Sequence, residues 1–260
     1  MPETIYLLDG YALAYHTYFA LSSGNASRWV TSSGEPTAGV FGFTSVLLRL
    51  LEQDKPDYLA VAFDVGKTFR DEMFPEYKAN RDAPPEDIKA AVPYIKKLLE
   101  GFNIPVIEEA GFEADDVIGT LAKNAEEEGF TVYMMTPDKD FAQLVSERIM
   151  MYKPGRGGGA PEIIGPPEVR EKFLVERSEQ VIDILALMGD SADNIPGARG
   201  IGEKTAKKLI AEYDSVEEIY EHIEQLKGKQ KENLENSKEQ VFISKELATI
   251  SLDVPVQEVH

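Results

Sequence analysis

Residues Phe112 to Thr120 read Phe-Glu-Ala-Asp-Asp-Val-Ile-Gly-Thr, and Thr136 to Asp140 read Thr-Pro-Asp-Lys-Asp. Glu113, Asp115 and Asp116 stand where a helix should begin. Asp138 and Asp140 stand just past an apolar run, Val132 to Met135, that reads as a buried strand. Carboxylates gathered at the edges of regular structure repel one another. At about 4 Å and an effective dielectric near 20, one like-charge pair costs on the order of 4 kcal/mol. Such a gathering calls for something positive to join it. Hard divalent ions such as Mg²⁺ take oxygen ligands. A pair of them can hold the attacking and leaving oxygens of an in-line phosphoryl displacement. The pattern points to phosphodiester hydrolysis.

Working outward, the same arrangement recurs. Thr4 to Leu8 is a short apolar run ending in Asp9-Gly10, and Tyr58 to Phe63 is another, ending in Asp64. Ile104 to Ile107 reads as a strand that leads by a short loop to Glu113. Helical patterns fill the intervals: Ala12 to Leu21, Gly39 to Leu51, Glu86 to Gly101, Ala114 to Glu128 and a turn at Phe141 to Leu144. Strands alternating with helices predict an α/β fold with a mostly parallel central sheet wrapped by helices. Such sheets bind ligands beyond the carboxyl ends of their strands, so acids from four strand ends converge on one rim.

Three stretches depart from that rhythm. Ser22 to Pro36 is a polar loop carrying Trp29. Phe69 to Pro85 mixes basic, aromatic and proline residues and predicts a mobile or partly helical excursion. Gly155 to Gly159 is a flexible loop between strands Ile149 to Tyr152 and Pro161 to Ile164. From Pro166 the pattern is almost wholly helical, which places a soft boundary there: an α/β domain over 1–168 and a helical domain over 169–260. Leu252 to His260 lacks a helical period and reads as linker from a longer protein.

Gly189 to Ile210 adds Asp190 and Asp193, then the turn glycines Gly197, Gly200 and Gly202, then a helix starting near Glu203. Free N–H groups at a helix start favour anions. Arg199, Lys204, Lys207 and Lys208 supply local positive charge, with Thr205 among them. Contacts of this kind position a duplex through its phosphates without reading its sequence.

Composition sets bounds. The 260 residues, 43% hydrophobic, allow a sizeable core. No cysteine is present, which excludes disulfides and thiolate metal sites. Only His16, His222 and His260 occur, too few for a His-rich zinc site. The N-terminus lacks a basic region and reads as a first strand rather than a signal peptide. No apolar run is long enough to span a membrane. The net charge of −19 has the wrong sign for a nucleic-acid binder. The candidate ligands account for part of it, and bound cations would offset them.

Each acid also has an ordinary explanation. Asp9 could be a turn residue. Glu113, Asp115 and Asp116 could answer a helix dipole. Asp138 and Asp140 could cap a turn. Their joint occurrence at successive strand ends favours a metal site.

Several stretches together resemble one family, the 5′ nuclease domain of bacterial DNA polymerase I, related to flap endonucleases. They are LLDGYALAYHTYF from Leu7, FRDEMFPEYKANR from Phe69, GFEADDVIGTLA from Gly111, TPDKDFAQLV from Thr136 and GDSADNIPGARGIGEKTA from Gly189. The resemblance implies a PIN-like or resolvase-like α/β domain followed by an all-helical helix–three-turn–helix subdomain near 189–213. It implies a two-metal site on Asp9, Asp64, Glu113, Asp115, Asp116, Asp138, Asp140, Asp190 and Asp193, with two Mg²⁺, replaceable by Mn²⁺. A helical arch near 66–100 would pass a single-stranded 5′ end. Arg70, Lys78 and Arg81 would contact phosphate, and Tyr77 would stack on a base. Gly197, Arg199, Gly200, Gly202, Lys204, Thr205, Lys207 and Lys208 would meet the duplex, with K⁺ at the hairpin. Asp115 and Asp138 would be central to catalysis, and Lys78 and Arg81 would stabilise developing charge. Two departures are His16, where the family usually has Arg, and Pro137, where Gly is more usual.

The resemblance thus implies a monomeric, cytoplasmic, bacterial enzyme acting on 5′-flap or nicked duplex DNA. Its work would be 5′→3′ exonuclease and flap endonuclease cleavage in primer removal and repair, with fusion to a polymerase region in the intact protein. The competing readings are a metal-dependent module that binds branched DNA with little cleavage, and a small-molecule phosphatase. The second lacks a partner Asp after Asp9 and leaves the glycine hairpin unexplained.

Overall fold

A computed structural model describes residues 2–25, 29–155 and 159–256. The expected loops around Ser22–Pro36 and Gly155–Gly159 lie partly outside these residues, as does the chain after Val256.

Strand β1 (Thr4–Asp9) runs directly into α1 (Gly10–Asn25), and α2 (Ala38–Arg49) ends in a π turn, Leu50–Asp54. Then come β2 (Tyr58–Ala62), α3 (Phe69–Met73), α4 (Glu86–Gly101), β3 (Val106–Ile107), α5 (Ala114–Glu127) and β4 (Thr131–Met135). A 3₁₀ turn, Lys139–Leu144, leads to β5 (Ile149–Lys153) and β6 (Glu162–Ile164). The rest is helical: α6 (Pro166–Phe173), α7 (Gln180–Met188), α8 (Glu203–Tyr213), α9 (Val216–Glu221), α10 (Gly228–Asn236) and α11 (Lys238–Ala248).

The sheet has six strands in the order β3-β2-β1-β4-β5-β6, parallel except for the edge strand β6. Chain direction across the sheet reverses between β1 and β4. That is a topological switch point, where an open α/β sheet leaves a crevice beyond its strand ends. Asp9 closes β1 and Asp138 follows β4, so both acids stand at this crevice.

Alternation along the strands sorts the core onto two faces. Tyr6, Leu8, Val61, Phe63 and Met135 pack with α1, α2 and α4 through residues such as Leu13, Phe43, Leu47, Ile95 and Leu99. On the other face Leu7, Ala60, Ala62, Val132 and Met134 pack with α5, and this core continues without a break into Ile184, Leu209, Val241 and Leu247 of the helical half. The helical region is therefore built onto the sheet rather than tethered to it. Gln143 joins the two, donating to the Ala248 carbonyl (2.9 Å) and accepting from Ile250 N–H (3.0 Å).

The chain after α11 differs from the expected linker. Ile250 and Val254 are buried, and Val254 N–H donates to Thr120 Oγ1 at 3.3 Å. A Cβ at Gly119 would lie 2.6 Å from Ile250 Cγ2, so only glycine lets this segment lie flat on α5. Among the described residues no helix is long and apolar enough to cross a membrane.

Candidate metal and nucleic-acid site

The rim is assembled from local turns. Asp9 Oδ1 accepts Ala12 N–H at 2.9 Å, because α1 starts immediately after β1 and its first free donors face the strand end. Asp64, two residues past β2, accepts Ala114 N–H at 2.7 Å, which pins the start of α5 beside β2. Asp138 Oδ1 accepts Asp140 N–H at 2.9 Å, opening the 3₁₀ turn after β4. Asp190 Oδ1 accepts Ala192 N–H at 2.7 Å and shapes the loop after α7.

Electrostatics shows which acids feel one another. Burial, then the charges of Asp64 and Asp138, push the Asp9 carboxyl up to about 7. Burial, then Asp9, Asp138 and Glu113, hold Asp115 well above the usual carboxylate range. Burial and Asp193 raise Asp138. Burial, then Asp138, Asp190 and Asp193, push Asp140 up to about 8. Eight of the nine acids thus form one chain of mutual repulsion, from Asp64 through Asp9, Asp115 and Glu113 to Asp138, Asp140, Asp190 and Asp193.

Basic side chains sit among them. Lys78 Nζ bonds Glu113 Oε1 and lies 3.9 Å from Asp193 Oδ2. Burial alone would lower the Lys78 ammonium, but these two acids outweigh it and raise it. Arg81 bonds Asp193, and Lys139 bonds Asp190. Lys139, which the sequence did not single out, offsets the burial of Asp190 and holds its carboxyl below the usual range.

Among the described residues no three acidic or histidine side chains already stand at mutual ligation spacing. The donor set nevertheless suits hard divalent cations, being carboxylate oxygen throughout. Asp140 Oδ1 is also buried with no hydrogen-bond partner, an orphaned acceptor of the kind a cation or its water would satisfy.

Three of the expected residues are buried and engaged with other partners. Asp116 is fully buried, and both its oxygens are taken: Oδ2 by Arg70 Nη1 (2.7 Å) and Glu113 N–H (3.0 Å), Oδ1 by Arg70 Nη2 (2.8 Å) and Ser251 N–H (2.8 Å). It orders the start of α5, with both oxygens accepting hydrogen bonds. Arg70 is only 2% exposed and spends its remaining donors on the Leu247 and Thr249 carbonyls, so no phosphate reaches it. Tyr77 is 6% exposed and its hydroxyl donates to Glu113 Oε2 at 3.1 Å; its ring is core, not a stacking platform.

The helical hairpin divides similarly. Gly197 is buried, and its N–H donates to Ser244 Oγ at 2.9 Å. Lys207 is occupied by Glu203 and by the Lys172 carbonyl. Arg199, Gly200, Gly202, Lys204 and Lys208 are exposed, and Thr205 is half-buried. His16 and Pro137 line an apolar groove of about 1050 Å³ with Tyr15, Phe19, Phe41 and Tyr152, and that groove contains none of the rim acids. The excursion from Phe69 to Pro85 is partly helical, a short helix α3 followed by turns, and α4 buries Ile88, Ile95 and Leu99 against the sheet.

Comparison with known proteins gives a consistent result. A family model described as 5′-3′ exonuclease, N-terminal resolvase-like domain, matches residues 4–174. A second, 5′-3′ exonuclease, C-terminal SAM fold, matches residues 176–260. DNA polymerase I of Bacillus subtilis is 44% identical over 257 residues, 98% of this chain and 28% of that protein. The thermostable DNA polymerase I of Thermus thermophilus is 41% identical over 254 residues, 97% of this chain and 29% of that protein. The chain thus spans less than a third of the length of these curated relatives. Among solved structures, bacteriophage T5 5′-exonuclease with bound zinc matches with a TM-score of 0.74 at 25% identity, covering 95% of this chain and 89% of that one. A T5 flap endonuclease complex with DNA and metal ions matches with a TM-score of 0.73 at 26% identity, covering 96% and 89%. The catalytic core of Rad2 with DNA shares the fold, with a TM-score of 0.61 at 15% identity and coverage of 97% and 80%.

Proposed function

The chain belongs to the 5′-3′ exonuclease family, and from that premise we propose that it is a structure-specific 5′ nuclease hydrolysing phosphodiesters in 5′-flap or nicked duplex DNA. The observation that carries the reading is the chain of mutually repelling carboxylates at the switch point between β1 and β4, interleaved with Lys78, Arg81 and Lys139. Asp9, Asp64, Glu113, Asp115, Asp138, Asp140, Asp190 and Asp193 would hold two Mg²⁺ or Mn²⁺ ions. When bound, such ions supply a Lewis acid and a more acidic water beside a phosphate.

The chain's own groups do the rest. Lys78 and Arg81 would meet an anionic phosphate at the rim, and each is held by a carboxylate, Lys78 largely buried and Arg81 about half exposed. A phosphodiester, which carries one negative charge, would compete at the rim for these cations, and they would then offset the charge that grows on it. Asp115 and Asp138, each pressed by other acids, have most to gain from neutralisation by a cation. Arg199, Gly202, Lys204 and Lys208 would track the duplex phosphates without reading bases. A K⁺ ion at the Gly197–Gly202 turn is part of the same reading, as is the division into a nuclease domain over 1–168 and a duplex-binding domain over 169–260.

The test is cleavage of a labelled 5′-flap duplex in Mg²⁺, beside Asp115→Ala and Asp138→Ala. Release of the flap by the native protein alone is the expected result. No cleavage above the two variants, with a gel shift retained in Ca²⁺, would leave a branched-DNA-binding module and overturn the reading.

A further inference from the structure

The segment Glu76–Arg81 and the loop Asp190–Ile195, more than a hundred positions apart, are fastened by reciprocal side-chain contacts. Asn80 Nδ2 donates to the Ser191 carbonyl at 2.6 Å, and Asn194 Nδ2 donates back to the Glu76 carbonyl at 2.6 Å. Between them, Lys78 N–H donates to the Asp193 carbonyl at 2.9 Å and Arg81 Nε donates to the Ala192 carbonyl at 3.4 Å. The loop is closed at its base by paired Asp190 and Ile195 backbone bonds of 3.0 and 2.8 Å.

Backbone conformation makes the fastening matter. Lys78 (φ 54°) and Asn194 (φ 56°) are both in the left-handed region. Asn tolerates that region; Lys does so only when its surroundings over-determine it. The Lys78 turn therefore depends on being held. What it carries is the Lys78 ammonium at Glu113 and the Arg81 guanidinium at Asp193. The loop in turn carries Asp190 and Asp193. The two halves of the rim thus meet through two asparagine amides that flank the Lys78 N–H and the Arg81 side chain.

We propose that Asn80 and Asn194 are positioning residues that clasp the Glu76–Arg81 segment to the Asp190–Asn194 loop and thereby set Lys78 and Arg81 over the acid rim. The consequence for phosphate rests on the nuclease reading above; the clasp itself does not.

Trypsin cuts after Lys and Arg, so Lys78 and Arg81 are built-in reporters of the clasp. The experiment digests the full chain in EDTA without DNA, comparing the native protein with Asn80→Ala, Asn194→Gly and the double variant. Glycine keeps the left-handed backbone at position 194 while removing the amide. Cutting after Lys78 and Arg81 should rise at least fivefold in the double variant, with cutting at Lys227 and Lys229 unchanged and the melting midpoint kept. On a 5′-flap duplex, kcat should fall about tenfold with KM within threefold, as expected when a reacting-centre cation is displaced but the duplex contacts remain. Unchanged cutting at Lys78 and Arg81, or a uniform rise at all sites with a lowered midpoint, would overturn the proposal. Because digestion needs neither metal nor DNA, it reads the clasp even if no flap cleavage is found.

Discussion

Replacing Asp116 by Ala should unfold this protein more readily rather than merely silence it. The carboxylate is fully buried and accepts four hydrogen bonds, two from Arg70 and one each from Glu113 and Ser251 N–H. Its loss leaves a guanidinium that is 2% exposed with Glu113 Oε2, 3.3 Å from Arg70 Nη1, as its remaining counter-charge; breaking one side of a buried ion pair costs about 3–5 kcal/mol, and the surviving pair puts the cost at the lower end, about 3 kcal/mol. Two orphaned backbone donors add to that, each about 1 kcal/mol or more when buried. A total near 5 kcal/mol is comparable to the whole stability of many domains. For a chain of this size it corresponds to a melting midpoint lower by roughly 10–20 °C. Near-ultraviolet circular dichroism against temperature, in EDTA, reads the shift directly. The neighbouring Asp115→Asn should move the other way, since it removes a charge repelled by Asp9, Asp138 and Glu113. An Asp116→Ala protein melting within about 2 °C of the native one, yet deficient in Mn²⁺ binding, would refute this reasoning and make Asp116 a ligand after all.

Three further outcomes follow from the same geometry. Asp140→Asn removes a carboxyl held up to about 8 with a buried, partnerless Oδ1, and should raise the EDTA melting midpoint at pH 8.5 by about 3 °C; a lower midpoint would contradict this. Asp9 and Asp140 titrate at about 7 and about 8 in the fold, against about 4 when unfolded, so the folded state binds more protons across that window and loses stability as pH rises through it. Metal-stripped protein should therefore melt lower at pH 8.5 than at pH 5.5, with Mg²⁺ removing the difference; the reverse order in EDTA would sink the assignment. Gly197→Ala, at φ 59° with its new Cβ 2.4 Å from Gly189 N, should cost about 3 kcal/mol in urea unfolding, whereas Gly202→Ala meets nothing within 4 Å and should leave stability unchanged.

The framework of the fold is legible in the sequence because strands and acids are local signals. Thr4–Leu8, Tyr58–Phe63 and Phe130–Met135 are apolar runs of strand length, each followed by an acid within a few residues, and the sheet is built on them. What the sequence conceals is the direction in which a mixed segment faces. Arg70 and Tyr77 lie in a stretch where basic and aromatic residues alternate with acids, and nothing local separates a phosphate contact from a buried partner. Their burial is decided by Leu247, Thr249 and Glu113, far away in the chain. Asp116 is concealed for the same reason: beside Asp115 it reads as a second ligand, but one helical position turns it from the rim into the core. The segment after α11 lacks a period because it packs extended on α5, so its apolar residues show no helical or strand rhythm. Asn80 and Asn194 gave no signal beyond their being short amides in turns.

The claim on which the rest depends is that carboxylates from separate strand ends hold divalent cations together. The direct measurement is Mn²⁺ titration of the full chain without DNA, with free ion read by electron paramagnetic resonance. The account predicts saturable binding of up to two ions, with at least one lost in both Asp115→Asn and Asp138→Asn. Binding that is absent, or identical in all three proteins, would contradict it.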